Sequence, residues 1–179
     1  WLGYLAGKAG DKAAEKKYFT AALAIPTDRC NPFRLETVAV LERAKELCPE
    51  SYKPCYYLGN LYYNKQPDRA MAEWEQCIDK EPSFAMAWRN LGWAHWLHTK
   101  NYGEAVKYYR KAIDLAPEEA LFLEEIDQVY EAKGEDVQVR YDLLKSRHAV
   151  CTKRYSPLAG EVTAGIFVGD YDYVLKLLK

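Results

Sequence analysis

The chain has 179 residues, the size of one domain or a short repeat array. Its 25 Lys+Arg against 26 Asp+Glu leave a formal charge of -1, which argues against an electrostatic partner such as nucleic acid. No run approaches the roughly 18 apolar residues of a membrane helix, and five cysteines spread from Cys30 to Cys151 do not read as a disulfide framework.

The chain opens Trp1-Leu2-Gly3-Tyr4 with neither Met nor a signal pattern, and it closes inside an amphipathic stretch. Both ends read as cuts through a longer protein, and a cytoplasmic location is the default expectation. The first predicted unit, about 1–26, places Leu2-Gly3 on one helix and Ala14 and Tyr18 on a second. The turn Lys8-Ala9-Gly10-Asp11 joins them, and Pro26 ends the second helix. The next stretch, 27–50, is too short for a helix pair. It reads as one helix over 34–48, with Leu35, Val38, Leu41, Ala44 and Leu47 inward, after an irregular segment Ile25–Phe33.

The pattern then becomes regular. Unit 51–82 carries Leu58-Gly59, a turn over Asn64–Asp68, and Ala70, Trp74 and Pro82; unit 83–117 carries Leu91-Gly92, a turn over Thr99–Gly103, and Ala105, Tyr109 and Pro117. The Ala-to-Pro distance is 12 in all three trios, including Ala14 and Pro26. Weaker copies occupy 118–150, with a first helix to Lys133 and Gly134 in the turn, and a truncated 155–179 with its turn at Gly169-Asp170-Tyr171.

Small residues such as Gly59, Gly92, Ala70 and Ala105 let paired helices approach, and Trp74, Trp88, Tyr62 and Tyr109 fill the remaining space. A single pair cannot bury both of its apolar faces, so the pairs must stack. On this logic a large residue at Gly92 costs roughly 1–3 kcal/mol and Trp88→Ala about 3–5 kcal/mol.

At these residues the chain resembles the tetratricopeptide-repeat family. Trp88-x-x-Leu91-Gly92-x-x-His95 followed by Ala105, Tyr109, Ala112 and Pro117 fits its pattern nearly throughout, and Cys55-x-x-Leu58-Gly59-x-x-Tyr62 with Ala70, Trp74, Cys77 and Pro82 fits almost as well. The resemblance implies an all-α, α-solenoid fold of antiparallel helix pairs in a right-handed superhelix, with an irregular unit near 26–50. The runs Tyr57–Tyr63, Trp88–Gly92 and Glu125–Tyr130 are further similar to bacterial proteins in which such repeats follow an N-terminal mutarotase-like β-sandwich domain of unknown function.

The family resemblance also implies a peptide groove formed by the first helices. By repeat position its residues include Lys53, Tyr56, Asn60, Tyr63, Asn64, Arg89, Trp93, Trp96, Glu124 and Gln128. Asn60 and Asn90 match the amide positions of a carboxylate clamp, but Tyr56, Leu121 and Glu125 stand where its cations belong, so a clamp is not expected. The contact candidates are Tyr56, Asn60, Tyr63, Arg89, Trp93 and Trp96, because aromatics and Arg dominate interface energetics. The competing reading packs Trp93 or Trp96 against the next repeat; Trp74 and Trp88 are expected in the core in either case.

Metal, cofactor and catalytic signals are weak. His95 and His98, or His148 and Cys151, offer two ligands where a structural zinc site needs four. His95 reads as a core histidine, and Cys55 and Cys77 as inert thiols. Cys48 and Cys55 flank a turn, with their pairing undecided. Phosphate-loop, nucleophile-elbow and H-E-x-x-H patterns are missing from the sequence. The acidic run Glu118–Asp136 and the basic run Arg140–Arg154 are either partner surfaces or helix faces with internal i,i+4 pairs.

The expected function is a non-enzymatic protein- or peptide-binding scaffold without cofactor, metal, membrane or nucleic-acid partner. The alternative is an accessory repeat region that positions or oligomerises an adjacent carbohydrate-related domain. Self-association through exposed terminal repeats is an additional expectation.

Overall fold

The computed structural model describes residues 1–27 and 32–177. Cys30, part of the irregular segment 25–33, and Leu178 and Lys179 of the truncated last unit lie outside the described residues. Those described are helices and turns in two compact units, Trp1–Ala87 and Trp88–Lys179. The fold is an all-α solenoid of paired helices.

The first unit holds α1 (Leu2–Lys8), α2 (Lys12–Ala24), α3 (Thr37–Leu47), α4 (Lys53–Tyr62) and α5 (Pro67–Lys80). Helix α6 (Ala85–Leu97) begins at its end and continues into the second unit. There follow α7 (Tyr102–Leu115), α8 (Ala120–Lys133), α9 (Val137–Ser146), α10 (His148–Cys151), α11 (Tyr155–Val168) and α12 (Tyr171–Leu177).

Proline sets the ends of four helices. Helices α2, α3, α5 and α7 each stop two residues before Pro26, Pro49, Pro82 or Pro117. The intervening residues Ile25, Cys48, Glu81 and Ala116 have ψ of 135, 64, 80 and 73°, outside the helical basin that a following proline disfavours. Between paired helices the turns close in another way. Gly134 at φ 75° and Gly169 at φ 82° take the left-handed conformation, and Glu135 N–H donates to Tyr130 C=O (2.9 Å) while Asp170 N–H donates to Gly165 C=O (3.0 Å). After α6 it is Lys100, at φ 56°, that adopts this conformation; Gly103, expected in the turn, lies inside α7.

Close approach follows the predicted small residues. A Cβ added to Gly59 would stand 2.3 Å from Trp74 Nε1, and one on Gly92 would stand 2.8 Å from Tyr109 Cδ2. Ala70, Ala105 and Tyr109 are fully buried and Trp74 nearly so. The first pair departs from its predicted register. Phe19 fills the space beside Gly3 and is buried, whereas Tyr18 is 41% exposed and Ala14 is half-buried. The residue that faces α1 one turn earlier is therefore Glu15, which is buried and ion-paired.

Two further expectations are corrected. Helix α3 starts at Thr37, so Leu35 lies ahead of it and is 68% exposed, while Val40 enters the core. Trp88 is half-buried against Tyr108, with ring centroids 5.8 Å apart, and does not have the full burial of Trp74. The expected cost of 3–5 kcal/mol for full burial therefore passes from Trp88 to Trp74.

Charged pairs tie one repeat to the next within each unit. In the first, Arg43 donates to Glu15 through Nε (2.8 Å) and Nη2 (3.1 Å), and Lys45 Nζ meets both oxygens of Glu73 at 2.9 and 2.8 Å. In the second, Arg140 is bidentate on Asp127 (2.8 and 3.1 Å) and Arg154 reaches Glu124 at 2.9 Å. The acidic and basic runs thus pair with each other between helices, not mainly at i,i+4 spacing.

The hydrogen bonds from Arg43 hold the Glu15 carboxyl at about 2, against an ordinary 4.5, with Lys12 helping and burial opposing. A folded value below the unfolded one means stabilisation that is present above pH 4.5 and is lost as the pH falls towards 2. Urea midpoints of the wild type are therefore expected to decline through that window more steeply than those of Glu15→Gln, and parallel curves would contradict the pairing.

Candidate interaction surface

The six contact candidates fall on two helix faces, one in each unit. On α4 the Tyr56 ring stands edge-on to Phe84 at 4.9 Å and tilts against Tyr57 at 5.4 Å. Tyr52, also 4.8 Å from Phe84, extends this aromatic group over the buried Cys55, Cys77 and Ala87. Asn60 Oδ1 accepts a hydrogen bond from Trp74 Nε1 (3.1 Å), which also donates to Tyr56 C=O (3.3 Å). Tyr63 lies 5.5 Å from the Trp74 ring. Asn60 and Tyr63 thus hold a core tryptophan in place, and Tyr56, Asn60 and Tyr63, the last directly after α4, are half-buried.

On α6, the arrangement is built around Arg89. Its Nε donates to Glu125 Oε2 at 2.7 Å, a second nitrogen donates to Glu125 Oε1, and Nη1 donates to Asn90 Oδ1 at 3.1 Å. The guanidinium lies 4.8 Å from the Trp93 ring centroid, and Trp93 meets Trp96 edge-to-face at 5.5 Å and 83°. A planar cation held on both sides fixes the Trp93 ring. Glu125, 4% exposed, is the functional neighbour that sequence reasoning placed only as a missing clamp cation. A one-residue pattern cannot show that a carboxylate 36 positions away closes on Arg89. Trp93 and Trp96 are half-buried, between the core and contact readings.

Other groove positions serve the fold. Lys53 Nζ donates to Leu23 C=O (2.5 Å) and Ile25 C=O (2.7 Å), covering open carbonyls at the C-terminus of α2. Glu124 pairs with Arg154, while Asn64 and Gln128 are exposed.

The histidines and thiols have structural surroundings. His95 stacks on Tyr108 at 5.1 Å and its Nδ1 lies 3.2 Å from Thr99 Oγ1. His148 Nδ1 lies 2.9 Å from Glu161 Oε2, and Tyr173 OH donates to Glu161 Oε1 at 2.5 Å. Cys48, Cys55, Cys77 and Cys151 are free and buried, and burial pushes the Cys77 and Cys151 thiols up to about 12. Among the described residues no group of three or more His, Cys, Asp or Glu could hold a metal ion. Among them, too, no helix is long and apolar enough to cross a membrane.

The tetratricopeptide-repeat family model matches residues 60–120, the stretch that contains Trp74 and the Gly92–Tyr109 pair. Over that stretch the chain carries the tetratricopeptide-repeat pattern. Its backbone is similar to the crystal structure of MamA, with a TM-score of 0.64 at 18% identity over 93% of this chain and 88% of that one. A second MamA crystal structure gives 0.63 at 17% identity over 98% and 87%, and the MamA RS-1 ArsTM double mutant gives 0.66 at 15% over 90% and 89%. At that identity the likeness is one of fold. Tetratricopeptide repeats are in general a protein-interaction scaffold, and residues 60–120 have that build.

Proposed function

We propose that the chain binds a protein segment through the first-helix faces of its repeats, with the Arg89–Trp93–Trp96 surface of α6 as its principal contact. The observation that carries this reading is the pair of half-buried indoles, edge-to-face and braced by an Arg89 whose charge Glu125 already balances. Such a surface is aromatic and nearly neutral, and favours apolar or aromatic side chains over a free carboxylate. Because Arg89 and Glu125 hold Trp93 before any ligand arrives, little side-chain freedom is lost on docking. Tyr56 on α4 and Tyr63 at its C-terminal cap provide a second aromatic face in the first unit.

Panning a random peptide display library on the chain tests this. Selected peptides are expected to be rich in apolar and aromatic residues. Trp93→Ala and Trp96→Ala are each expected to weaken their binding about tenfold while the melting temperature stays near wild type. If these variants unfold the protein instead, the two indoles belong to the core and the surface is not a contact.

A further inference from the structure

The core tryptophan and the two surface tryptophans differ in what their indole N–H groups do. Trp74 is buried, and its Nε1 donates to Asn60 Oδ1 (3.1 Å) and Tyr56 C=O (3.3 Å), as a buried indole requires. Trp93 and Trp96 are half-buried, and neither Nε1 donates to an acceptor among the described residues. Neither nitrogen is sealed inside the protein, so both donors open to solvent.

The rings set the shape of the surface. At 5.5 Å and 83° the two indoles form a corner, one ring its floor and the other its wall. Leu97, the next residue, is 38% exposed and adds to the apolar area. Charge narrows the choice of partner. Glu125 already holds Arg89, and Glu124 holds Arg154, so these groups leave no net charge for a charged side chain to meet.

Three backbone forms can present apolar groups to such a corner, and they differ in their polar atoms. A helix has bonded its carbonyls internally and has none to give the indoles. An extended strand brings an N–H with every carbonyl, and the carboxylates of Glu124 and Glu125 that would accept them are engaged. The polyproline II form makes no internal hydrogen bonds, and proline carries no N–H. A proline-rich segment therefore brings only acceptors and apolar rings, the complement of what Trp93 and Trp96 offer.

We infer that the α6 surface takes a proline-rich segment in the polyproline II form, with a pyrrolidine ring in the Trp93–Trp96 corner and the indole N–H groups donating to its carbonyls. The inference rests on the reading of this surface as the principal contact and names the class of partner. Aromatic-lined grooves recognise such segments in other folds, and a segment that arrives already extended loses little freedom on docking.

A fluorescein-labelled oligoproline of about ten residues, three turns of the form, tests this by anisotropy on the full chain, beside a length-matched peptide of Leu, Phe and Ser. The oligoproline is expected to bind saturably, about tenfold more tightly than the other peptide, and with an affinity that added salt leaves unchanged. Trp93→Phe and Trp96→Phe keep a ring but lose the N–H, and each should weaken the oligoproline by about threefold or more. An oligoproline that does not bind, or that binds both Phe variants as it binds wild type, overturns the inference. If the Leu-Phe-Ser peptide then binds in a way that Trp93→Ala abolishes, only the class of partner falls. If neither peptide binds, the reading of the surface as a contact falls with it.

Discussion

Trp74→Ala is expected to destabilise the protein by about 3–5 kcal/mol, read as a fall in the urea midpoint of the first unit. The indole is 3% exposed, so its removal leaves a cavity lined by α4 and α5. It also leaves Asn60 Oδ1 and Tyr56 C=O without their indole donor. Gly59→Ala sharpens the test. A mid-helix Gly→Ala exchange normally stabilises by about 1 kcal/mol, but here the new methyl would sit 2.3 Å from Trp74 Nε1 and 2.5 Å from Cδ1. The exchange should destabilise the wild type and stabilise Trp74→Ala, a reversal of sign that only contact between these two residues produces. An equal effect in both backgrounds would separate them.

Gly92→Leu is expected to cost roughly 1–3 kcal/mol by overpacking. The neighbouring Tyr109 is fully buried, and three of its ring atoms lie within 3.2 Å of the added Cβ, so the ring has nowhere to go. Gly103→Ala serves as the internal control, because the nearest atom to its added Cβ is Asn101 Oδ1 at 3.6 Å, and it should be neutral or mildly stabilising. If the two substitutions shift the denaturation midpoint alike, then α6 and α7 are not in contact through Gly92.

The aromatic surface was only partly visible beforehand. Trp93 and Trp96 could be placed on α6 because the repeat positions assign a helix face to each residue. That Glu125 neutralises Arg89 could not, because the pair spans 36 positions and depends on how α8 lies beside α6.

The first pair illustrates the same limit at single-residue scale. The distance of 12 between Ala14 and Pro26 copies the later repeats, but in the folded chain Glu15 and Phe19 face α1. Glu15 can occupy an inward position because Arg43, 28 residues on, supplies its counter-charge. Residue type alone would assign a glutamate to solvent.

The amino-acid sequence by itself determined the regular helix pairs, the ends that proline sets and the close approaches at Gly59 and Gly92. Those depend on local physics: proline removes the helical option from the residue before it, glycine admits a left-handed turn, and a missing side chain lets a ring come near. Tertiary structure alone decided which buried charges are paired and which tryptophan is core. Those depend on distances between repeats, where the energy of a charge or a ring is set by neighbours tens of residues away.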